Sequence, residues 1–466
     1  MLGMYVHTHW SYNHPYAART WTIADWTGYL GCLSALGYNT VLIWPMHDNM
    51  PVPLTPSDVA FLQKLATVID IAHDRFGMKV LIASCANVFT TANAANFEIE
   101  KRYFWDTCSY VDPRNDAGLQ QMLAARRTQW SYLAKVDGLA IIDSDPGGWP
   151  NSPSEDFVKL FSLLAGVMRQ VNPQVGIYYW IWGGWPDNGL RQTYLDILGL
   201  LKEKLDFPWS VLSCGESHRF VTDQLRLTER RVYYPYGLVE LEPSFPMINS
   251  NPARFRQEIQ LYDPKLYPGG LLVNAQTHCL QVPYTYMAAH YARGGTVAND
   301  NVMTLGEEIV RGSGGNLANF AWRHMEEEWD FPVMRHYSRA LREQIGKNHQ
   351  PGPLAGLVMM SPDQFLLDLA DNLDIRADMI ELKTAVNTGH QVKKCLLQLV
   401  RRIKPYRDRV GYNHTFQGPL YKGLSDQIRR LEVPELMAAL SFSGSPVTTK
   451  GYLVNLLDAV EEYASR

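Results

Sequence analysis

Asp143 and Asp145 stand one residue apart at the end of an apolar run, in GLAIIDSDPGGW from Gly138. If that run is a strand, side chains at i and i+2 share a face, roughly 6–7 Å apart along the backbone. Two carboxylates held that close do not ionise independently: one pKa rises, and that group keeps a proton near neutral pH while its neighbour stays charged. Such a pair suits general acid/base chemistry. The Pro-Gly-Gly that follows offers Asp a plainer role as a turn cap, and metal binding is a third. Glu216 in SCGESH and Glu240 after YYPYGLV also follow apolar runs and are alternative partners for Asp145. Each also reads as a surface acid on a loop.

Around these acids the sequence sets imidazoles, amides and indoles at the ends of further apolar runs. They are His9, Trp44, His47, Asp48, Trp180, Trp182, Trp185, Asn274, Gln276 and His278. Indoles pack an apolar face while tolerating polar groups at the rim, which suits stacking beneath a sugar ring; filling a core is the plain alternative. His9 and His47 suit hydrogen bonds to hydroxyls, or are core histidines satisfied by backbone. Asn274, Gln276 and His278 supply neutral donors and acceptors that fix hydroxyl orientation. His7-Thr8-His9 invites a metal reading on the first strand, as in the amidohydrolase group. That chemistry also needs histidines on strands five and six and an aspartate on strand eight; strand five, IYYWIWGGW, has no histidine, and strand eight gives Asn274 and His278.

Eight short β-branched or aromatic runs carry these residues, beginning at Gly3, Thr40, Lys79, Gly138, Val175, Trp209, Arg230 and Gly269. Segments of helical period lie between them, with Thr or Ser at their starts and Gly37 and Gly77 at their ends. Eight such alternations predict an α/β fold, a (β/α)8 TIM barrel over residues 1–302, whose active site would sit at the C-terminal ends of the strands. A doubly wound nucleotide-binding sheet is disfavoured, since the turn after the first strand is HTHWSYNH and no Gly-rich phosphate loop occurs. From 303 to 466 the pattern turns helical, predicting a C-terminal α-helical domain. Packing on the barrel, homo-oligomerisation and walling a cleft are the tasks open to it.

VDGLAIIDSDPGGW resembles the fourth-strand signature of substrate-assisted glycosidase barrels. Chitinase-type family 18 carries D-G-x-D-x-D-x-E there, and hexosaminidase families 20 and 84 carry paired acids; the helical tail is similar to that of families 84 and 67, the latter α-glucuronidases. The likeness covers the barrel layout, and no single family is matched: the spacing from Asp137-Gly138 is one residue longer and the last acid is Asp145 rather than Glu. The resemblance implies a glycoside hydrolase without a cofactor, Asp145 as acid/base and Asp143 orienting a substrate acetamide, on an N-acetylhexosamine- or uronic-acid-containing carbohydrate. A metal-dependent hydrolase using His7 and His9, and a non-catalytic carbohydrate-binding barrel, are the alternatives.

Bulk properties narrow the field. The 466 residues are 46% hydrophobic and 19% charged with a net charge of -4, a globular composition without a basic stripe for nucleic acid. No apolar stretch reaches the roughly 20 residues that cross a bilayer. The six cysteines are scattered without a C-x-x-C pair, which argues against a zinc ribbon or a disulfide framework. MLGMYVHTHW enters a strand directly, with no basic or long apolar leader, so a cytoplasmic location is expected unless a signal has been removed.

Overall fold

The computed structural model describes residues 1–143, 153–181, 190–213, 215–235, 252–295, 304–324, 331–411, 419–440 and 452–466. They form two compact units. The first takes Met1–His9, Thr22–Gly237 and Arg256–Ala275; the second takes Trp10–Trp21, Leu238–Phe255 and Gln276–Arg466.

Among the described residues the first unit contains ten strands: β1 Leu2–His7, β2 Thr40–Trp44, β3 Lys79–Cys85, β4 Val88–Thr90, β5 Cys108–Tyr110, β6 Gly138–Ile142, β7 Gly176–Trp180, β8 Trp209–Ser213, β9 Arg231–Tyr233 and β10 Gly270–Ala275. Eight of them close into a parallel barrel in the order β1-β10-β9-β8-β7-β6-β3-β2. All eight apolar runs read from the sequence are these barrel strands. The short strands β4 and β5, three residues each, pair antiparallel as a separate hairpin in the connection after β3; the sequence reading placed no strand there.

Side-chain size sets the barrel interior. Leu81 lies in register with Gly138, and Gly138 with Gly176, while the larger Tyr178 stands beside Ala140. A Cβ on Gly138 would come within 2.5 Å of Leu81 Cδ2 and 2.8 Å of Tyr178 Cε2. The missing side chain is therefore what admits both neighbours to the barrel floor. Outside the barrel, helices Ile23–Ala35 and Pro56–Phe76 each begin with a capping box, Thr22–Asp25 and Thr55–Asp58. Gly77 ends the second at φ 61°, a left-handed conformation suited to glycine.

The second unit is organised by the 27-residue helix Pro362–Thr388. Its acids recur at helical spacing, so Asp368, Asp371, Asp374 and Asp378 form one row. Arg335 and Arg342 pair with this row from helix Phe331–Arg342, and Arg402 and Arg409 from helix Val392–Val410, at 2.5–3.0 Å. The segment Trp10–Trp21 is tied to the same row, the Tyr16 hydroxyl donating to Asp368 at 2.5 Å. Among the described residues no helix is long and apolar enough to cross a membrane.

Gly138→Ala is expected to destabilise the barrel by about 1–3 kcal/mol through overpacking against Leu81 and Tyr178. Urea denaturation should show a lower midpoint at an unchanged slope; an unchanged midpoint would refute the floor-packing argument.

Candidate active site

Parallel barrel strands alternate inward and outward side chains. The core cluster inside the barrel contains Tyr5, Trp44, Ile142, Trp180, Tyr234 and Leu272, which fixes the inward set. His7, two residues beyond Tyr5 and in register with Trp44, continues it on β1; Asn274, in register with Tyr5, continues it on β10.

The inward residues near the C-terminal ends form a connected aromatic group. Trp180 meets Tyr5 edge-on at 5.2 Å between ring centroids and Tyr234 at 4.8 Å, and lies 6.1 Å from Trp44. His9 sits edge-on to both Trp44 and Phe104 at 4.7 Å. The Tyr5 hydroxyl and His7 Nδ1 share a 2.6 Å hydrogen bond, and the Thr8 hydroxyl donates to the Trp44 carbonyl. Trp44 and Trp180 are buried by these neighbours. Beside Tyr5, Asn274 is wholly buried, and neither its amide nitrogen nor its carbonyl oxygen has a partner among the described residues. Buried amides are ordinarily hydrogen-bonded, which makes Asn274 an exception within the inward set of β10.

The aromatic group is held from outside the barrel by a buried ion pair. Trp44 Nε1 donates to Asp48 Oδ2 at 2.9 Å, and Arg126 donates to Asp48 Oδ1 at 2.5 Å. Arg126 also donates to the carbonyls of His47 and Val88 at 2.8 and 2.7 Å. Burial pushes the Asp48 carboxyl up to about 6, with Arg126 and the Trp44 indole opposing the rise. His47 packs edge-on to Trp130 at 6.0 Å. Burial, with the Arg126 charge adding to it, holds its pKa well below the ordinary histidine value. The structure therefore commits Asp48 to Trp44 and Arg126, and sets His47 against Trp130.

Asp143 lies on the outward face of β6, not among the inward aromatic side chains; whether Asp145 shares its face lies outside the described residues. Ala140 and Ile142 point inward, and the Asp143 N–H continues the ladder to the Trp180 carbonyl at 3.3 Å, so Asp143 falls in the outward set. It is buried and accepts from the Tyr179 hydroxyl at 3.1 Å. Tyr179 packs on Phe157 and Phe161 of helix Ser154–Val171, at 5.4 and 5.8 Å. Asp145, Trp182, Trp185 and Glu240 lie outside the described residues. Glu216 lies on helix Gly215–Gln224, and its side chain is also outside them.

Gln276 and His278 belong to the second unit. Gln276 Oε1 accepts from Trp10 Nε1 at 2.7 Å. His278 lies edge-on to Trp21 at 5.4 Å, its pKa lowered to about 3 by burial. Of the predicted residues, the barrel interior thus brings together His9, Trp44, Trp180 and Asn274. It adds Tyr5, Tyr234 and Phe104, which the sequence reading passed over; Tyr5 precedes His7 by two residues, so strand alternation would have found it. The rings of His7 and His9 are 5.0 Å apart, and among the described residues no group of three His, Cys, Asp or Glu side chains is placed to hold a metal ion.

No protein-family model matches the chain, nor does any curated protein sequence. Solved structures are similar to it. A family GH115 4-O-methyl-α-glucuronidase, BtGH115A, with specificity for decorated arabinogalactans, aligns over 88% of this chain and 59% of its own at 10% identity, with a TM-score of 0.50. A GH138 enzyme targeting pectin rhamnogalacturonan II aligns over 98% of this chain and 66% of its own at 9% identity and 0.45. A family 20 β-N-acetylglucosaminidase aligns over 62% and 68% at 10% identity and 0.37. The chain thus spans less than two thirds of the length of the first two. The likeness to BtGH115A is one of fold, the closed parallel barrel with surrounding helices.

Arg126→Met would strand the Asp48 carboxylate in a dry site, at an expected cost of about 3–5 kcal/mol; a loss below about 1 kcal/mol in urea denaturation would contradict the buried pair. His218 is buried edge-on to Tyr194 at 5.4 Å, and burial lowers its pKa to about 4 from 6.5. Below pH 6.5 the unfolded chain therefore takes up a proton that the folded chain refuses, and stability falls between pH 6.5 and 4 by up to about 3 kcal/mol. His218→Phe should flatten that decline; an unaltered pH profile of stability would contradict it.

Proposed function

We propose that the chain is a glycoside hydrolase acting at the C-terminal mouth of its barrel. The observation that carries this reading is Asn274, a fully buried amide with both polar atoms unpartnered among the described residues, set in register with Tyr5 among the inward aromatic side chains. Leaving such an amide unsatisfied costs about 1–3 kcal/mol, a cost that a correctly placed hydroxyl removes, because a hydroxyl both donates and accepts. A sugar ring supplies hydroxyls at its rim and an apolar C–H face for aromatic rings.

In this reading Asp145 protonates the leaving glycosidic oxygen, and Glu216 or Glu240 supplies the carboxylate that meets the oxocarbenium-like centre. Asp143, bound to Tyr179, holds the end of β6 from which Asp145 departs and is a positioning residue. The resemblance to families 18, 20, 84 and 67 supports an N-acetylated or uronic-acid sugar as the substrate class. Trp182 and Trp185 follow β7 and would extend the sugar-binding surface.

A panel of nitrophenyl glycosides, including N-acetylhexosaminides and glucuronides, assayed with and without chelator, tests this. The expected result is cleavage of at least one member regardless of chelator, a fall in kcat of about 10²–10⁴-fold in Asp145→Asn, and a raised KM in Asn274→Ala. Unchanged turnover in Asp145→Asn would refute the acid/base assignment. Loss of activity with chelator would favour the metal-dependent alternative.

A further inference from the structure

A groove on the same unit is lined by residues none of which belongs to the inward aromatic group. The loop after β2, the β4–β5 hairpin and the first turns of helix Asp116–Ser131 enclose an open groove of about 660 Å³. All three follow the C-terminal ends of β2 and β3, the face on which TIM barrels build their binding surfaces. Six large apolar side chains among the described residues are exposed, and two of them, Val52 at 54% and Tyr110 at 53%, line this one groove. They give the groove an aromatic and an aliphatic element beside its polar lining.

The rest of the lining specifies the ligand chemistry. The Thr90 and Ser109 hydroxyls donate to the carbonyls of Thr91 and of Phe89 and Thr90 and keep lone pairs for a ligand's donors, Asn115 caps the helix through Oδ1, and Gln121 adds a second amide. The carboxylate of Asp112 is engaged by Arg114, which reaches its two oxygens from Nε and Nη2 at 3.0 Å each. Among the described residues no lysine or arginine lines the groove. An aromatic platform, an apolar wall and a rim of neutral hydrogen-bonding groups fit neither an anion nor a cation. They fit a ligand that is itself apolar on one face and hydroxylated at its edge.

We propose that this groove is an auxiliary carbohydrate subsite, in which a neutral sugar ring stacks on Tyr110 against Val52 and its hydroxyls meet the Thr90, Ser109 and Gln121 side chains. The proposal rests on the glycoside reading of the barrel mouth and extends it. The subsite would hold a ring of the same glycan, so longer substrates gain affinity that single-sugar glycosides lack.

The test uses the full chain and neutral hexasaccharides of the cello-, xylo-, manno- and chito- series, with binding read by titration calorimetry. At least one hexasaccharide should bind. Tyr110→Ala should weaken it by about tenfold or more, the loss expected when a ring of this size is removed from an apolar contact. Tyr110→Phe should retain it within about threefold, because the stacking face is kept. Turnover of any cleaved nitrophenyl glycoside should be the same in all three proteins. Binding of no hexasaccharide, or equal binding by the wild type and Tyr110→Ala, overturns the subsite. Tyr110-dependent binding without turnover of any glycoside upholds the subsite and refutes the catalytic reading. Retained binding in both Tyr110 variants, together with loss in Asn274→Ala, moves the ligand to the barrel interior and also overturns the subsite.

Discussion

The buried pairing of Arg126 with Asp48 is the constraint that ties the aromatic group inside the barrel to the β4–β5 hairpin. Its two ends face different structures. Asp48 accepts from the Trp44 indole and so fixes one wall of the aromatic group inside the barrel. Arg126 donates to the Val88 carbonyl at the start of β4 and so fixes the hairpin that walls the groove. A second buried arginine repeats the device. Arg102 pairs with Asp58, which also caps helix Pro56–Phe76, and donates to the carbonyls of Ala94, Phe97 and Asn49. Long connections at a barrel mouth have few backbone partners of their own. Guanidinium groups with five donors each gather the stray carbonyls and pin the loops to the scaffold.

Such pinning costs stability: desolvating two charges often exceeds the attraction that follows. What it supplies is position. Asn274 lies in register with Tyr5 in the inward set, and its amide has no partner among the described residues, whereas Gln276 and Gln129 are bonded.

The barrel was legible in the sequence because each of its strands is a short apolar run between helical segments with Thr caps and Gly ends. The β4–β5 hairpin was not: its two three-residue strands lie in the connection after β3, outside the alternation of strand and helix that reveals the barrel. The orientation of Asp143 was hidden for a related reason. A parallel strand is buried on both faces, so GLAII carries no polar–apolar alternation to tell inward from outward. The spacing of Asp143 and Asp145 predicted a common face, and only Ala140 and Ile142, packed inside the barrel, reveal that Asp143 belongs to the outer one. Arg126 was equally silent: it adjoins Arg127 in AARRTQW, where one arginine is buried and the other exposed. Asn274, Trp44 and Trp180 were legible as the ends of apolar runs, and the structure places all three in the inward set.

The most direct test of the account is a crystal structure of Asp145→Asn in complex with the glycoside that the wild type cleaves. The account predicts a sugar hydroxyl within hydrogen-bonding distance of the Asn274 side chain, with the ring bordered by the aromatic residues of β1 and β7. A sugar bound elsewhere, with the Asn274 amide still unpartnered, would contradict it.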